Sequence, residues 1–136
     1  MSGQPLTIFQ VAGRAMSAQL TRMNTTASNL ANVGGVSSTA EGAYKTIKPV
    51  FRTSFDSATG LSTVDVQQIV TAGEAPTKRY DPSNPLADKD GNIYEAAVDE
   101  TRELVDMMET ARTYQNNVEV MQTAKTLITD TLKLGR

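Results

Sequence analysis

Two runs of apolar residues, one near each end of the chain, constrain its fold more than any other feature. In both runs the spacing alternates between three and four, with Gly13 in one vacant place of the first and Lys125 in one place of the second. Such spacing puts the side chains on one stripe of an α-helix, as in a coiled coil. The first seam consists of Phe9, Met16, Leu20, Met23, Ala27 and Leu30, and the second seam of Leu104, Met107, Ala111, Tyr114, Val118, Met121, Ile128 and Leu132.

The ends of both predicted helices carry local signals. Gly34 and Gly35 follow the point where the first periodicity stops, as expected of a helix terminator. Acidic residues open the second helix and basic residues close it, which matches the sign of the helix dipole. These residues are Asp99, Glu100 and Glu103 at the start, and Lys133 and Arg136 beside Gly135 at the end. The first seam predicts a helix about 40 Å long and the second one of about 50 Å.

Turn-forming residues replace the periodicity between residues 32 and 98, so we predict short strands and loops there. The best strand candidates are residues 44–55, 61–70 and 92–98, with a bulge at Gln67 and Gln68. The predicted fold class is α+β, mainly α: long N- and C-terminal helices in a coiled-coil-like pair, with a small β- and loop-rich middle segment. The predicted divisions are 1–33 and 99–136 for the helices of a polymerisation domain, and 34–98 for the middle segment.

Charge and hydropathy exclude several classes of protein. The chain has 13 Lys and Arg against 15 Asp and Glu, a net charge of -2, so it has no overall positive field to attract nucleic acid. No segment approaches the roughly 18 to 20 apolar residues that span a bilayer, and the N-terminus lacks the pattern of a cleaved secretory signal. We therefore expect a soluble protein, at least before assembly, that does not bind nucleic acid.

The chain contains neither cysteine nor histidine, which removes disulfides, thiolate ligands and the commonest general base. The segment from Asp88 to Gly91 resembles a calcium loop only faintly, since aligning Gly91 puts Leu86 and Ala97 where carboxylates are required. A turn is the better interpretation. We expect no catalytic residues, no metal, no cofactor and no small-molecule substrate, although an enzyme that uses scattered carboxylates remains a distant alternative.

The two seams are too extensive to cover each other. A hairpin of the two helices would expose part of the longer seam, at roughly 25 cal/mol per Å² of apolar surface, unless neighbouring copies cover it. Residues 6–31 carry a net charge of +2 and residues 99–136 carry -2, which favours their association modestly. A monomeric helical adaptor or export chaperone remains open, but it would not need the loop-rich middle.

Local sequences at both ends resemble the flagellar rod and hook protein family, and the short chain resembles its proximal-rod branch. The N-terminal match is the signature Ser28, Asn29, Leu30, Ala31 and Asn32, and the C-terminal match includes Arg112, Tyr114, Gln115, Asn117 and Val118. A Y-D-P-x-x-P-x-A-D segment at residues 80–88 adds to it. Asn29 and Asn32 are open to two interpretations, as residues of the helix terminus or as donors of hydrogen bonds between subunits.

The resemblance implies a structural subunit that polymerises into the helical proximal rod, crosses the periplasm and transmits torque. Implied partners are other copies, other rod proteins, the basal-body adaptor and membrane-ring components. The resemblance also implies export by the flagellar type III apparatus without a cleaved signal, which requires an unfolded chain. A chain without disulfides, whose helices are covered fully only on assembly, suits that route.

Overall fold

A computed structural model describes residues 7–135 and confirms the α+β class, with a helix at each end and a small β-rich middle. In chain order the elements are α1 (Ile8–Ala31), β1 (Val36–Ser37), β2 (Ile47–Asp56), β3 (Leu61–Thr71), β4 (Thr77–Tyr80), β5 (Asn92–Glu95) and α2 (Glu100–Leu134). Neither helix is long and apolar enough to cross a membrane.

A capping box begins α1. The Thr7 side chain accepts a hydrogen bond from the Gln10 N–H at 3.3 Å, and the Gln10 side chain accepts one from the Thr7 N–H at 3.1 Å. Helix α1 ends with Asn32 as its C-cap residue, and Gly34 then turns the chain with φ of 70°. The predicted glycine stop is therefore confirmed, whereas Leu6 lies outside the described residues.

Local charge and capping also determine where α2 begins and ends. This helix has 35 residues and spans about 52 Å. Asp99 is its N-cap residue and accepts a hydrogen bond from the Arg102 N–H at 3.1 Å. Glu100 lies in the first turn, Lys133 lies in the last, and Gly135 follows as the C-cap residue. The start of the helix agrees with the sequence prediction, and so does its end as far as Gly135, whereas Arg136 lies outside the described residues.

Strands β2 and β3 form an antiparallel hairpin whose register runs from Ile47 opposite Thr71 to Asp56 opposite Leu61. The register shifts by one residue where Val50 faces Gln68 and Phe51 faces Val66, which leaves Gln67 as the extra residue of a bulge. The predicted bulge is therefore confirmed.

The second sheet has three strands in the order β1–β5–β4, and both of its pairings are antiparallel. Of its members only β5 was predicted. Strand β1 has two residues, and β4 carries Lys78 and Arg79 within four exposed residues, so neither shows apolar alternation.

Helix α1 lies between its two neighbours, α2 and the hairpin. Asn29 contacts Glu103 and Arg22 contacts Asp106 at 3.5 Å, so the two helices run antiparallel. On the hairpin side, Arg14 lies 3.2 Å from Asp65. The Arg22–Asp106 pair agrees with the predicted charge complementarity of the two helices, whereas Arg14 pairs with the hairpin.

Large apolar side chains contribute little to the core. Its buried apolar members are Ala12, Ala18, Ala43, Ile93 and Ala96. Its buried polar members are more numerous, namely Thr25, Thr26, Asn29, Thr46, Thr63, Glu103 and Thr110. The free subunit is therefore held together by small side chains and hydrogen bonds, while most large apolar side chains stay partly in water.

The Asp88 side chain builds the turn before β5. Its carboxylate accepts hydrogen bonds from the N–H groups of Asp90 and Asn92, both at 2.9 Å, and Gly91 has φ of 78°. The hydrogen bond from the Asn92 backbone is the main cause that lowers the pKa of Asp88. The turn interpretation of this segment is confirmed.

The stabilisation that Asp88 gives this turn is expected to persist until strongly acidic pH. Because the pKa is lower in the folded than in the unfolded chain, the contribution is complete above the ordinary value and is lost as the pH falls through the lowered value. An NMR titration of the Asp90 and Asn92 amide protons would follow it. A midpoint at or above 3.8, the ordinary value, would contradict the expectation.

Candidate assembly surface

The end of α1 is tied to three other parts of the chain by the side chain of Asn29, which is 1% exposed. Its Oδ1 accepts hydrogen bonds from the Ile47 N–H at 3.0 Å and the Tyr44 hydroxyl at 2.8 Å. Its Nδ2 donates to the Ile47 carbonyl and the Glu103 carboxylate, both at 3.0 Å. One amide group therefore joins α1 to the hairpin, to the loop before it and to α2.

Two other residues of the N-terminal signature support this junction. The Tyr44 hydroxyl donates its hydrogen bond to Asn29 and accepts one from the Ser28 hydroxyl at 3.1 Å. The Asn32 Nδ2 donates a hydrogen bond to the Ser28 carbonyl at 2.8 Å. The helix-terminus interpretation is therefore confirmed for Asn32. Asn29 also lies in the last turn of α1, where its carbonyl accepts a hydrogen bond from the Asn32 N–H, but its side chain bonds to other parts of the same subunit.

Two members of the first seam, Leu20 and Ala27, lie on the side of α1 that is turned away from α2. Asn29 and Arg22 contact α2, whereas Leu20 is nine positions from Asn29, or about two and a half turns, and so points the opposite way. Leu20 is 44% exposed and Ala27 is also exposed, while Phe9, Met16, Met23 and Leu30 are half-buried. The fully buried members of α1 lie elsewhere, at Ala12, Ala18, Thr25, Thr26 and Asn29.

The second seam lies on the α1 side of α2 and then continues past the end of α1. Met107, Ala111, Tyr114, Val118 and Met121 are half-buried, and Leu104 is 47% exposed at the start. Every residue from 125 to 134 is exposed, including Ile128 at 47% and Leu132 at 68%. We call residues 125–134 the overhang; it is about 15 Å of helix that nothing in the described chain covers.

Sequence reasoning missed a second apolar stripe on α2, separate from the second seam. It comprises Val120, Ala124, Leu127 and Leu134, of which Leu127 is 63% exposed, and its middle part borders a shallow groove with Asn116 and Thr123. The positions 120, 124, 127 and 134 follow the same pattern of three and four if Thr131 takes the vacant place, so the signal was present in the sequence. The overhang thus presents apolar side chains on two sides.

The C-terminal signature residues divide between the two sides of α2. Tyr114, Asn117 and Val118 are half-buried, while Arg112 and Gln115 are exposed. The signature therefore covers both the side that meets α1 and the side that faces solvent.

A cleft beside Asn29 has several charged side chains in its lining, and most of them are already paired within the subunit. This cleft of about 230 Å³ between α1, α2 and β2 is lined by Arg22, Lys48, Glu103 and Asp106, together with Phe51. Arg22 is paired with Asp106, and Glu103 is hydrogen-bonded to Asn29. The described residues 7–135 contain no group of three or more acidic side chains placed to hold a metal ion.

Comparison with known proteins assigns the chain to the flagellar basal-body rod proteins. Residues 9–36 match the family described as flagella basal body rod protein, and residues 89–134 match the family described as flagellar basal body rod FlgEFG protein C-terminal. These two segments contain all of α1 but its first residue and the whole of α2, the elements that carry both seams.

Relatives that match over nearly their whole length narrow the assignment to one family among the rod proteins. FlgC of Salmonella typhimurium is 41% identical over 96% of this chain and 98% of its own length. FlgC of Escherichia coli O6:H1 is 39% identical and that of Yersinia enterocolitica 38% identical, each over 96% of this chain and 98% of the relative. The chain belongs to the FlgC family of flagellar basal-body rod proteins and is a structural rod subunit. The family is one of structural flagellar rod proteins and is not known as an enzyme.

Proposed function

We propose that this chain is a proximal-rod subunit that polymerises by burying its first seam against helices of neighbouring subunits. The observation that carries the proposal is the orientation of α1, which turns Leu20 and Ala27 toward solvent and buries alanines and threonines against the rest of the subunit. A continuous apolar stripe at heptad spacing is the surface that coiled-coil packing covers. The predicted coiled-coil pairing thus belongs to contacts between subunits as well as to the α1–α2 pair.

The overhang supplies the matching surface for such a contact. It lies at one end of the helix pair, and its apolar side chains point to two sides of the helix, so it can pack on two helices at once. The overhang and the first seam are different surfaces, so a contact between them is heterologous and repeats along a polymer instead of closing into a dimer.

The partners, export route and location of the subunit are part of the same proposal. The expected partners are other copies and other rod proteins, with the basal-body adaptor and membrane-ring components at the proximal end. The subunit would cross from the cytoplasm through the flagellar type III export apparatus without a cleaved signal and take its place in the periplasm-spanning rod. Interlocked helices that resist shear would carry torque along the rod.

A chain that ends after Ala124 tests the role of the overhang. The truncated subunit is expected to melt within about 3 °C of the full chain, because residues 125–135 are all exposed, but to fail to enter rods. Circular dichroism of the purified chain and immunodetection in isolated basal bodies measure the two effects.

The control keeps the overhang and changes only its polar side, by replacing Thr126, Thr129 and Asp130 with alanine. This variant is expected to assemble normally, since Ala favours the helix and the apolar side chains remain. Rods that contain the truncated chain at the normal level would contradict the proposal.

A further inference from the structure

The outer edge of β2 is open over only part of its length. The Ile47 N–H and carbonyl both bond to the Asn29 side chain, so at this position the backbone groups point away from β3. Because the direction alternates along a strand, the backbone groups of residues 49, 51, 53 and 55 point to the same outer edge. The Ser54 and Asp56 carbonyls accept hydrogen bonds from Thr63 and Gly60 on the inner side, as the alternation requires.

The first part of this edge is blocked and the second part is not. The Asn29 side chain already bonds to the backbone groups of Ile47, and Pro49 has no N–H that could donate a hydrogen bond. Residues 51–55 are all exposed, and their sequence is Phe-Arg-Thr-Ser-Phe. Phe51 is 37% exposed and Phe55 66% exposed, although the chain has only three phenylalanines. An exposed edge with aromatic and β-branched residues is a template for adding another strand.

We propose that this edge pairs with the same edge of a second copy of the chain when the subunit is free in solution. An antiparallel pair with Thr53 on the two-fold axis places Phe51 opposite Phe55 of the second copy, and Arg52 opposite Ser54. Both strands then present outward N–H and carbonyl groups at residues 51, 53 and 55, so the hydrogen-bonding positions coincide. Two aromatic pairs form and no like charges face each other.

The other exposed edges of the described chain fit this role less well. Residues 63–66 of β3 are buried or half-buried, and Asp65 is held by Arg14 of α1. Strand β4 carries Lys78 and Arg79, and charges on an edge oppose the addition of another strand.

The pairing has a consequence for assembly. A two-fold contact uses the same patch on both copies and closes on itself, whereas a rod grows through contacts between different patches. The dimer is therefore a form of the free chain that must dissociate before a subunit enters the rod, and the inference goes beyond the proposed role in the rod.

Single cysteines test the pairing cleanly, because the chain has none of its own. In Thr53→Cys the two thiols lie across the two-fold axis, where paired Cα atoms are about 5.5 Å apart, within the range of a disulfide. Gln68→Cys is the matched control, because Gln68 is exposed on β3 and faces Val50, three residues from the two-fold axis, so it would lie roughly 25 Å from its counterpart. Under copper-phenanthroline, Thr53→Cys is expected to form disulfide-linked dimers at least about ten-fold faster than the control.

A charged substitution at the same position gives a second readout of the dimer. Thr53→Lys would place two ammonium groups opposite each other, so analytical ultracentrifugation is expected to show loss of the dimer, whereas Gln68→Lys keeps it. Equal cross-linking rates for the two cysteine variants, or a dimer that persists in Thr53→Lys, would overturn the inference. Because Thr53→Lys leaves both seams intact, it is expected to enter rods normally, so this test and that of the proposed function can fail separately.

Discussion

Replacing Leu20 with Asp is expected to abolish incorporation of the subunit into rods while the free subunit still folds. Leu20 is 44% exposed on the outward side of α1, so the free chain can keep the new carboxylate in water. Burying that unpaired charge against a neighbour's helix costs about 3 kcal/mol or more, which weakens association at least about a hundred-fold. Motility assays and immunodetection in isolated basal bodies measure the outcome.

The control at the same position is Leu20→Met, which keeps an apolar side chain of similar volume and is expected to assemble normally. Circular dichroism of both purified variants checks that the free chains are folded, since Asp in a helix interior costs only about 0.5 kcal/mol. Basal bodies that contain the Asp variant at the level of the Met variant would show that the outward side of α1 is not an assembly surface.

Replacing Asn29 with Ala is expected to be the most destabilising single change in the free subunit, by about 3 to 5 kcal/mol. The substitution removes four hydrogen bonds and leaves the Glu103 carboxylate and the Ile47 backbone without their partner in a buried place. Since domains of this size are stabilised by about 5 to 15 kcal/mol, a large part of the folding free energy is at stake. Urea unfolding followed by circular dichroism measures it.

Asn24→Ala is the matched control on the same helix. Asn24 is exposed, so its loss is expected to change the free energy of unfolding by less than about 0.5 kcal/mol. If the two alanine variants unfold at the same urea concentration, the junction at Asn29 contributes far less than its geometry indicates.

Local signals made the helices predictable, but they did not make the packing of α1 predictable. The ends of α2 follow from Asp99 and Gly135, which act within one turn. In contrast, the contacts of Asn29 join residues 18 and 74 positions apart, and nothing in the local sequence marks them. Apolar periodicity identified the stripe at Leu20 but could not say whether the subunit or its neighbour covers it, because both would bury the same side chains.

Some of the strands were predictable from the sequence and others were not. The two strands of the hairpin were predictable because Val64 and Val66 alternate with polar residues and turn formers separate the strands, whereas their pairing was not predicted. Strand β1 has only two residues and is defined by its pairing with β5, so only the tertiary fold reveals it. The part that each seam plays in assembly stays a prediction until the variants above are made.

The small core has a consequence for how stability depends on concentration. Four of its five apolar members are alanines, so folding of the free chain removes little hydrocarbon from water. The larger transfer, that of leucine, isoleucine and methionine side chains, would then take place when subunits meet. By the law of mass action the native conformation would then be favoured by every added neighbour, and its stability would be a property of the polymer more than of the single chain.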